Sequence, residues 1–165
     1  MRHTFRLRIG LPFILLICAL VIGLGLYFSN YLNRTYLHVL ETELVSQARL
    51  TGSFLESELA GSVDPVRLDE LARRLAQQTG KRITIVAPDG SVIGESQFDR
   101  TEMENHLARP EIVRARFSGQ GTEIRYSETL GVSMMYAAAA VKSAQGAPLG
   151  YVRVAMPLPS PRFPA

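Results

Sequence analysis

The chain has one cysteine in 165 residues, Cys18, and it lies inside an apolar run. With no intramolecular partner it leaves the fold without a disulfide staple and counts as a small hydrophobe. Parts for catalysis are equally short. Gly119-Gln120-Gly121 lacks the lysine and the longer glycine spacing of a phosphate cradle. No Gly-x-Ser-x-Gly elbow presents a nucleophile, and the scattered acidic residues single out no general acid and base. No catalytic residue is assigned. A His/Glu pair falls short of the three or four ligands that a metal normally takes, so neither metal nor cofactor is expected. Basic runs with interleaved aromatics are also missing, which excludes a nucleic-acid role.

Charge is absent from one long stretch. Twenty consecutive residues, Ile9 to Phe28, carry none, directly behind Arg2, Arg6 and Arg8. At ~1.5 Å rise per residue the run spans about 30 Å as a helix, the thickness of a bilayer's hydrocarbon core. Arginines favour the cytoplasmic side, and only Arg34 lies close behind the run. The pattern predicts a cytoplasmic start over 1–8, a spanning helix over 9–30 in the plasma (inner) membrane, and an extracytoplasmic remainder. A cleaved signal peptide has a shorter apolar part, about 7–15 residues, and a small-x-small exit. Here the exit is Tyr27-Phe28-Ser29-Asn30-Tyr31-Leu32, bulky for a peptidase and suited to the membrane interface. The net charge of +3 belongs to this leading segment: 18 Lys+Arg less three leaves 15, against 15 Asp+Glu. The outer part is formally neutral, and its roughly 130 residues suffice for one domain with its own core.

Beyond the span, Leu37, Leu40, Leu44, Ala48, Thr51, Leu55 and Leu59 recur in steps of three and four, which predicts a membrane-proximal helix over 31–60. Gly61-Ser62 ends it. Asp64-Pro65 supplies an N-cap and a first-turn proline for a second helix through Gln78, with Leu68, Leu71 and Leu75 on its buried face. The period then changes. Arg82 to Val86 and Ser91 to Gly94 read as strands around Pro88-Asp89-Gly90, a hairpin signal. Arg109-Pro110 opens a short helix to about Phe117. Strands follow over Thr122 to Ser127, Val132 to Val141 and Leu149 to Pro157, separated by Thr129-Leu130-Gly131 and Ser143 to Pro148. The order predicts an α+β domain over 61–158, a five-stranded antiparallel sheet with helices over one face, and a proline-rich tail over 159–165.

Three stretches bring a family into view: Leu71 to Gly90, then Met103-Glu104-Asn105-His106-Leu107-Ala108-Arg109-Pro110-Glu111, then Gly150 to Leu158. Over residues 10 to 158 the chain resembles the extracytoplasmic sensor region of bacterial two-component sensor histidine kinases of the phosphate-response and cell-wall-response type. The resemblance implies a PAS-like outer domain between two spanning helices, a homodimer, and a cytoplasmic part with phosphoacceptor His and ATP-binding kinase domain that passes phosphate to a response regulator. Neither a second apolar run of 18 or more residues nor a phosphoacceptor motif occurs in this sequence. The expectation is therefore an N-terminal fragment of a sensor kinase. The alternative is a stand-alone anchored interaction domain that detects another envelope or membrane protein.

Met103, Glu104, Asn105, His106, Arg109 and Pro110 form the stretch that most invites a site reading, since His106 and Glu104 could bind a metal and Arg109 could pair with an anion. The plainer reading makes Asn105 and His106 loop fixers before the short helix, with Pro110 at its first turn and Glu111 near its positive end. Met134-Met135-Tyr136 lines either a pocket or the core, and His38 reads as a solvated helix residue. The stripe Leu37, Leu40, Leu44, Ala48, Leu55 and Leu59 packs on its own sheet, on a second copy of the helix, or on both. A small ligand or a membrane-protein partner is the expected stimulus.

Overall fold

A computed structural model describes the backbone of residues 2–61, 63–127 and 131–158. One helix, α1, runs from Arg2 to Ala60. Contacts within the chain divide it into two units, Met1–Leu40 and Glu41–Ala165. In the first, the apolar side chains from Phe13 to Leu32 are exposed. The stretch from Phe13 has a mean hydropathy of 2.2 over its best window with none of that window buried, long and apolar enough to cross a membrane.

The second unit holds the end of α1, then α2 (Pro65–Thr79), β1 (Arg82–Val86), β2 (Val92–Glu95), a 3₁₀ turn (Arg100–Glu102), α3 (Pro110–Ser118), β3 (Gln120–Ser127), β4 (Val132–Lys142) and β5 (Pro148–Pro157). Each start has a local cause. Asp64 accepts the Val66 amide at 3.0 Å and Pro65 takes the first helical position of α2. The hairpin turns at Gly90, whose φ of +88° is closed to most side chains. Pro110 opens α3, whose N-cap residue, Arg109, makes no side-chain capping bond.

The five strands pair antiparallel in the order β2-β1-β5-β4-β3. β3, β4 and β5 form a meander, and β1 joins β5 across some 62 residues of sequence. Because β2 and β3 are the two edges, the link between them, residues 96–119, has to cross the whole sheet. It lays α3 over one face, while the 3₁₀ turn stays beside the β2 edge, where Arg100 pairs with Asp69 of α2. On the opposite face, Gly94 lies against Leu68 of α2, Gly52 of α1 against Val141, and the Thr122 hydroxyl donates to Glu41. Helices thus cover both faces, whereas the sequence pattern predicts them on one. The physical reason is small residues. A Cβ on Gly121 would stand 2.4 Å from the Glu111 carbonyl oxygen, so α3 sits directly on the backbone of β3.

The core on the α1 side includes the fully buried Leu44, Ala48, Ile83, Ile85, Val152 and Val154, with Leu55 and Leu59 closing it. The α3 side has Ile112 and Ala115 packed on Val86, Ala138 and Tyr151. Burial of the larger side chains contributes on the order of 1.5–3 kcal/mol each. Leu68 and Ala72 are the buried positions of α2, with Leu71 and Leu75 half-buried. The proline-rich tail, and the Thr129-Leu130 part of the β3–β4 turn, lie outside the described residues.

Candidate functional site

Successive strand residues face opposite sides of a sheet. On the face beneath α3, three polar residues fall in one row across neighbouring strands: Glu95 lies opposite Thr84, and Thr84 opposite Arg153. The row continues through Ala138 and Gly121. Those two small residues admit α3, which brings Glu111 onto Arg153 from above. Arg82, Tyr136 and Glu123 fall in the next row on the same face, and Arg125 in the row beyond it.

The side chains form one connected network. The Arg153 guanidinium donates from Nη2 to the Thr84 hydroxyl at 3.1 Å, and that hydroxyl donates to Glu95 Oε2 at 2.8 Å. Glu95 Oε1 accepts from Arg82 Nε at 3.0 Å and from the amides of Ser96 and Gln97. Glu111 Oε1 meets Arg125 Nη2 at 3.2 Å and Arg153 Nη1 at 3.5 Å. Tyr136 lies under two guanidinium groups, with its ring centroid 4.2 Å from Arg125 and 5.2 Å from Arg153. Met134, Tyr136 and Ala155 pack as one cluster on this face, and Met135 is buried on the other. Tyr136 therefore serves both core and polar network.

Glu95 and Glu111 are 0% exposed and Arg153 is 2% exposed. Sinking such charges is expensive, and well-packed apolar residues would often give equal or greater stability. Two buried atoms of this network have no partner, Arg153 Nε and Glu111 Oε2. Burial brings Arg153 down to about 10 against the opposing pull of Glu111, so its charge persists at neutral pH. Buried charge kept on a sheet face, with unspent hydrogen-bonding capacity, marks this row as the candidate site.

His106 reaches the same region from the edge-to-edge link. It is buried, and Nδ1 lies 2.8 Å from the Glu104 carbonyl. A carbonyl only accepts, so Nδ1 carries the proton. Burial first, then the Arg153 charge, push its pKa down to about 4, leaving the ring neutral at physiological pH. The rest of the stretch holds the link in place. Asn105 accepts the Leu107 amide and donates to the Asp89 carbonyl, and the His106 amide donates to the Gly90 carbonyl at 2.8 Å. Glu104 and Arg109 meet at 3.5 Å, too exposed to contribute much. Met103 ends the 3₁₀ turn, and Pro110 starts α3. The structure buries His106 within electrostatic reach of Arg153 and leaves Glu104 and Asn105 exposed and Arg109 half-buried.

Of the helical stripe on α1, Leu44, Ala48, Leu55 and Leu59 are buried within the second unit; Leu40 is also buried and Leu37 half-buried. Leu50 and Phe54 point outward and are exposed. An open groove of about 780 Å³ lies between Arg49 and Glu56 of α1 and Ser118, Gly119 and Lys142. Of its charged residues Arg49 and Lys142 are exposed and Glu56 is half-buried, and it shares no residue with the buried network. Among the described residues no His/Cys/Asp/Glu cluster could hold a metal ion.

Arg82, Thr84, Glu95, Arg125 and Arg153 are site residues that the sequence pattern does not single out. A usable signal is present in Val152-Arg153-Val154: in a strand buried on both sides, an arginine between two valines faces the side they do not.

Known structures share this fold. The chain is similar to the ligand-binding domain of the Campylobacter jejuni chemoreceptor Tlp3, solved with 4-methylisoleucine, at 10% identity and a TM-score of 0.61, covering 77% of this chain and 55% of that one. It is similar to the sensor domain of the V. cholerae histidine kinase DctB at 18% identity and a TM-score of 0.61, covering 79% and 54%. The E. coli DcuS sensor domain matches at 10% identity and a TM-score of 0.54, covering 71% and 90%. The chain thus spans about half the length of the first two. At these identities the likeness is one of fold. No curated protein sequence matches the chain significantly. The sequence matches the Single Cache-like family over residues 34–157, three-quarters of the chain, and the protein belongs to that family of sensor domains.

Proposed function

We propose that this chain is the extracytoplasmic input module of a membrane-bound sensor histidine kinase, and that it reads a small carboxylate-bearing ligand on the sheet face beneath α3. The observation that carries the ligand reading is Arg153: a buried guanidinium with an unpartnered Nε, flanked by Arg82 and Arg125, is chemistry for an anionic group. Support for the sensor role comes from the family and from the likeness to sensor domains of the histidine kinase DctB and of DcuS. The apolar segment of α1 is the anchor, with the basic start cytoplasmic and the sheet domain outside. In this reading a homodimer carries the signal inward to a kinase core that phosphorylates a response regulator, as in the phosphate-response and cell-wall-response kinases. Since Leu44, Ala48, Leu55 and Leu59 face their own core, the helix pair uses the outward side of α1, at Leu50 and Phe54. Ligand binding changes output only if the two signalling states differ in affinity for the ligand.

Two measurements test this. Thermal unfolding of the full chain in detergent micelles, with acetate, succinate and L-alanine as probes, is expected to rise with at least one of them and to lose that response in Arg153→Gln. No rise with any probe refutes the ligand reading. Single cysteines along 37–59 in a Cys18→Ala background are expected to cross-link periodically, with maxima near Leu50 and Phe54; absence of periodicity refutes the helix pair.

A second reading, detection of another envelope protein, is favoured by one observation. Phe117 and Tyr126 are 83% and 62% exposed on neighbouring elements α3 and β3. Replacing both with serine abolishes signalling under that reading and leaves it unchanged under the first.

A further inference from the structure

The two buried glutamates of the site are held very differently. Both carboxylate oxygens of Glu95 are engaged, by Arg82, Thr84 and the backbone amides of Ser96 and Gln97. It belongs to a strand that is fixed on one side by β1. Glu111 has one oxygen shared between Arg125 and Arg153 at 3.2 and 3.5 Å, and its other oxygen has no partner although it is fully enclosed. These are long contacts for charged groups, which prefer about 2.7–2.9 Å. A carboxylate placed on a guanidinium, enclosed yet poorly satisfied, is a weak ligand.

Its mounting is weak as well. Glu111 is the second residue of α3, a helix of nine residues whose N-cap makes no side-chain bond. Nothing else acidic on the row reaches the part of Arg153 that faces α3, because the row continues there as Ala138 and Gly121. The five charged side chains of the network are Arg82, Arg125, Arg153, Glu95 and Glu111, a surplus of one positive charge that attracts an anion. Yet Glu111 and Arg153 are both enclosed, so an incoming oxygen reaches that guanidinium only by taking the volume that Glu111 fills.

We infer that Glu111 is an internal stand-in for the ligand's carboxylate: it occupies Arg153 and Arg125 in the empty site, an arriving carboxylate displaces it, and the first turn of α3 is released in exchange. This rests on the carboxylate-sensing reading above and adds how occupancy is converted into movement. The exchange is one carboxylate for another on the same two guanidinium groups, so no buried positive charge is left bare at either end. What changes is whether the occupant is tied to α3. Apparent affinity is lowered by the competing internal group, and the binding step is mechanically tied to the edge-to-edge link.

The test uses the full chain in detergent micelles with acetate as the probe. Glu111→Gln keeps the shape and removes the competing charge, so acetate is expected to bind about tenfold tighter or better than to the unaltered chain. Arg153→Gln is expected to abolish binding. In the unaltered chain, amide hydrogen exchange over residues 110–118 is expected to quicken when acetate is added, which decides the matter even if Glu111→Gln fails to fold. If Arg153→Gln abolishes binding while Glu111→Gln binds acetate no tighter than the unaltered chain and exchange over 110–118 is unchanged or slowed, the stand-in role is overturned and the carboxylate site survives. If acetate binds neither the unaltered chain nor Glu111→Gln, the carboxylate site itself is overturned.

Discussion

Gly121→Ala tests how closely α3 is seated. The added Cβ would stand 2.4 Å from the Glu111 carbonyl oxygen, 2.5 Å from Arg114 Cβ and 3.0 Å from the Ala115 amide nitrogen. Two of these three are backbone atoms, which cannot swing aside as the end of a side chain can. Ordinary contact begins near 3.4 Å, so α3 must retreat by about 1 Å. A gap of that size forfeits a quarter to a half of the dispersion energy where Ile112 and Ala115 meet Val86, Ala138 and Tyr151. Adding the usual cost of overpacking gives about 2–4 kcal/mol. For a unit of this size about 3–5 °C is lost per kcal/mol, so the midpoint falls by roughly 6–20 °C. Near-ultraviolet circular dichroism is the assay, since Tyr136 and Tyr151 are buried on this face and lose their signal when it opens. Gly61→Ala, whose new Cβ meets nothing nearer than 3.6 Å, is the control and should change little. A Gly121→Ala midpoint within about 2 °C of the control refutes the close seating of α3.

Gly90→Ala combines a φ of +88° with a Cβ 2.3 Å from Asn105 Oδ1, so it should destabilise by more than about 2 kcal/mol and loosen proteolytic protection of the 103–109 link; equal digestion rates would contradict this. Asp64→Ala removes the side-chain cap of α2 and should cost about 1 kcal/mol by thermal unfolding, with Asp64→Asn largely retaining it. The pH dependence follows from His106. Its folded pKa, about 4, lies below the usual 6.5, so the unfolded chain binds more protons between those values. Its contribution to stability is complete above pH 6.5 and is lost as pH falls towards 4, at no more than about 1.4 kcal/mol per pH unit. His106→Gln should flatten that part of the stability profile; an unchanged slope assigns it to other groups.

Elements that a local signal defines are legible in the residues themselves. Asp64-Pro65 marks the start of α2, and Asp89-Gly90 marks the hairpin. β3 begins at Gln120, two residues earlier than its side chains suggest, because Gly119 adopts φ +84° and delivers the chain straight from α3 into the strand. The 3₁₀ turn has no periodicity to announce it. On α1 the apolar stripe is readable, but the surface it meets depends on the sheet face opposite. The charged row is hidden for a deeper reason. Arg82, Thr84, Glu95, Glu111 and Arg153 sit on four elements, and they meet only because β1 inserts between β2 and β5. Register and strand order are long-range properties, invisible to a window of neighbours. His106 illustrates both sides: the loop-fixing role of its stretch is legible from Asn105 and Pro110, while its proximity to Arg153 is not.

The order of the strands also sets the order of assembly. β1 is complete some 62 residues before β5 begins, and until β5 arrives one long edge of β1 lacks a partner. At about 5–20 residues per second, the chain spends roughly 3–12 s of synthesis with that edge open. Long-range pairing of this kind folds slowly and leaves an unpaired strand available to other chains. The last strand therefore acts as the closing seam of the domain. A chain interrupted before Pro148 keeps its long apolar helix, its hairpin and its exposed edge together, which makes it a substrate for proteases and for aggregation.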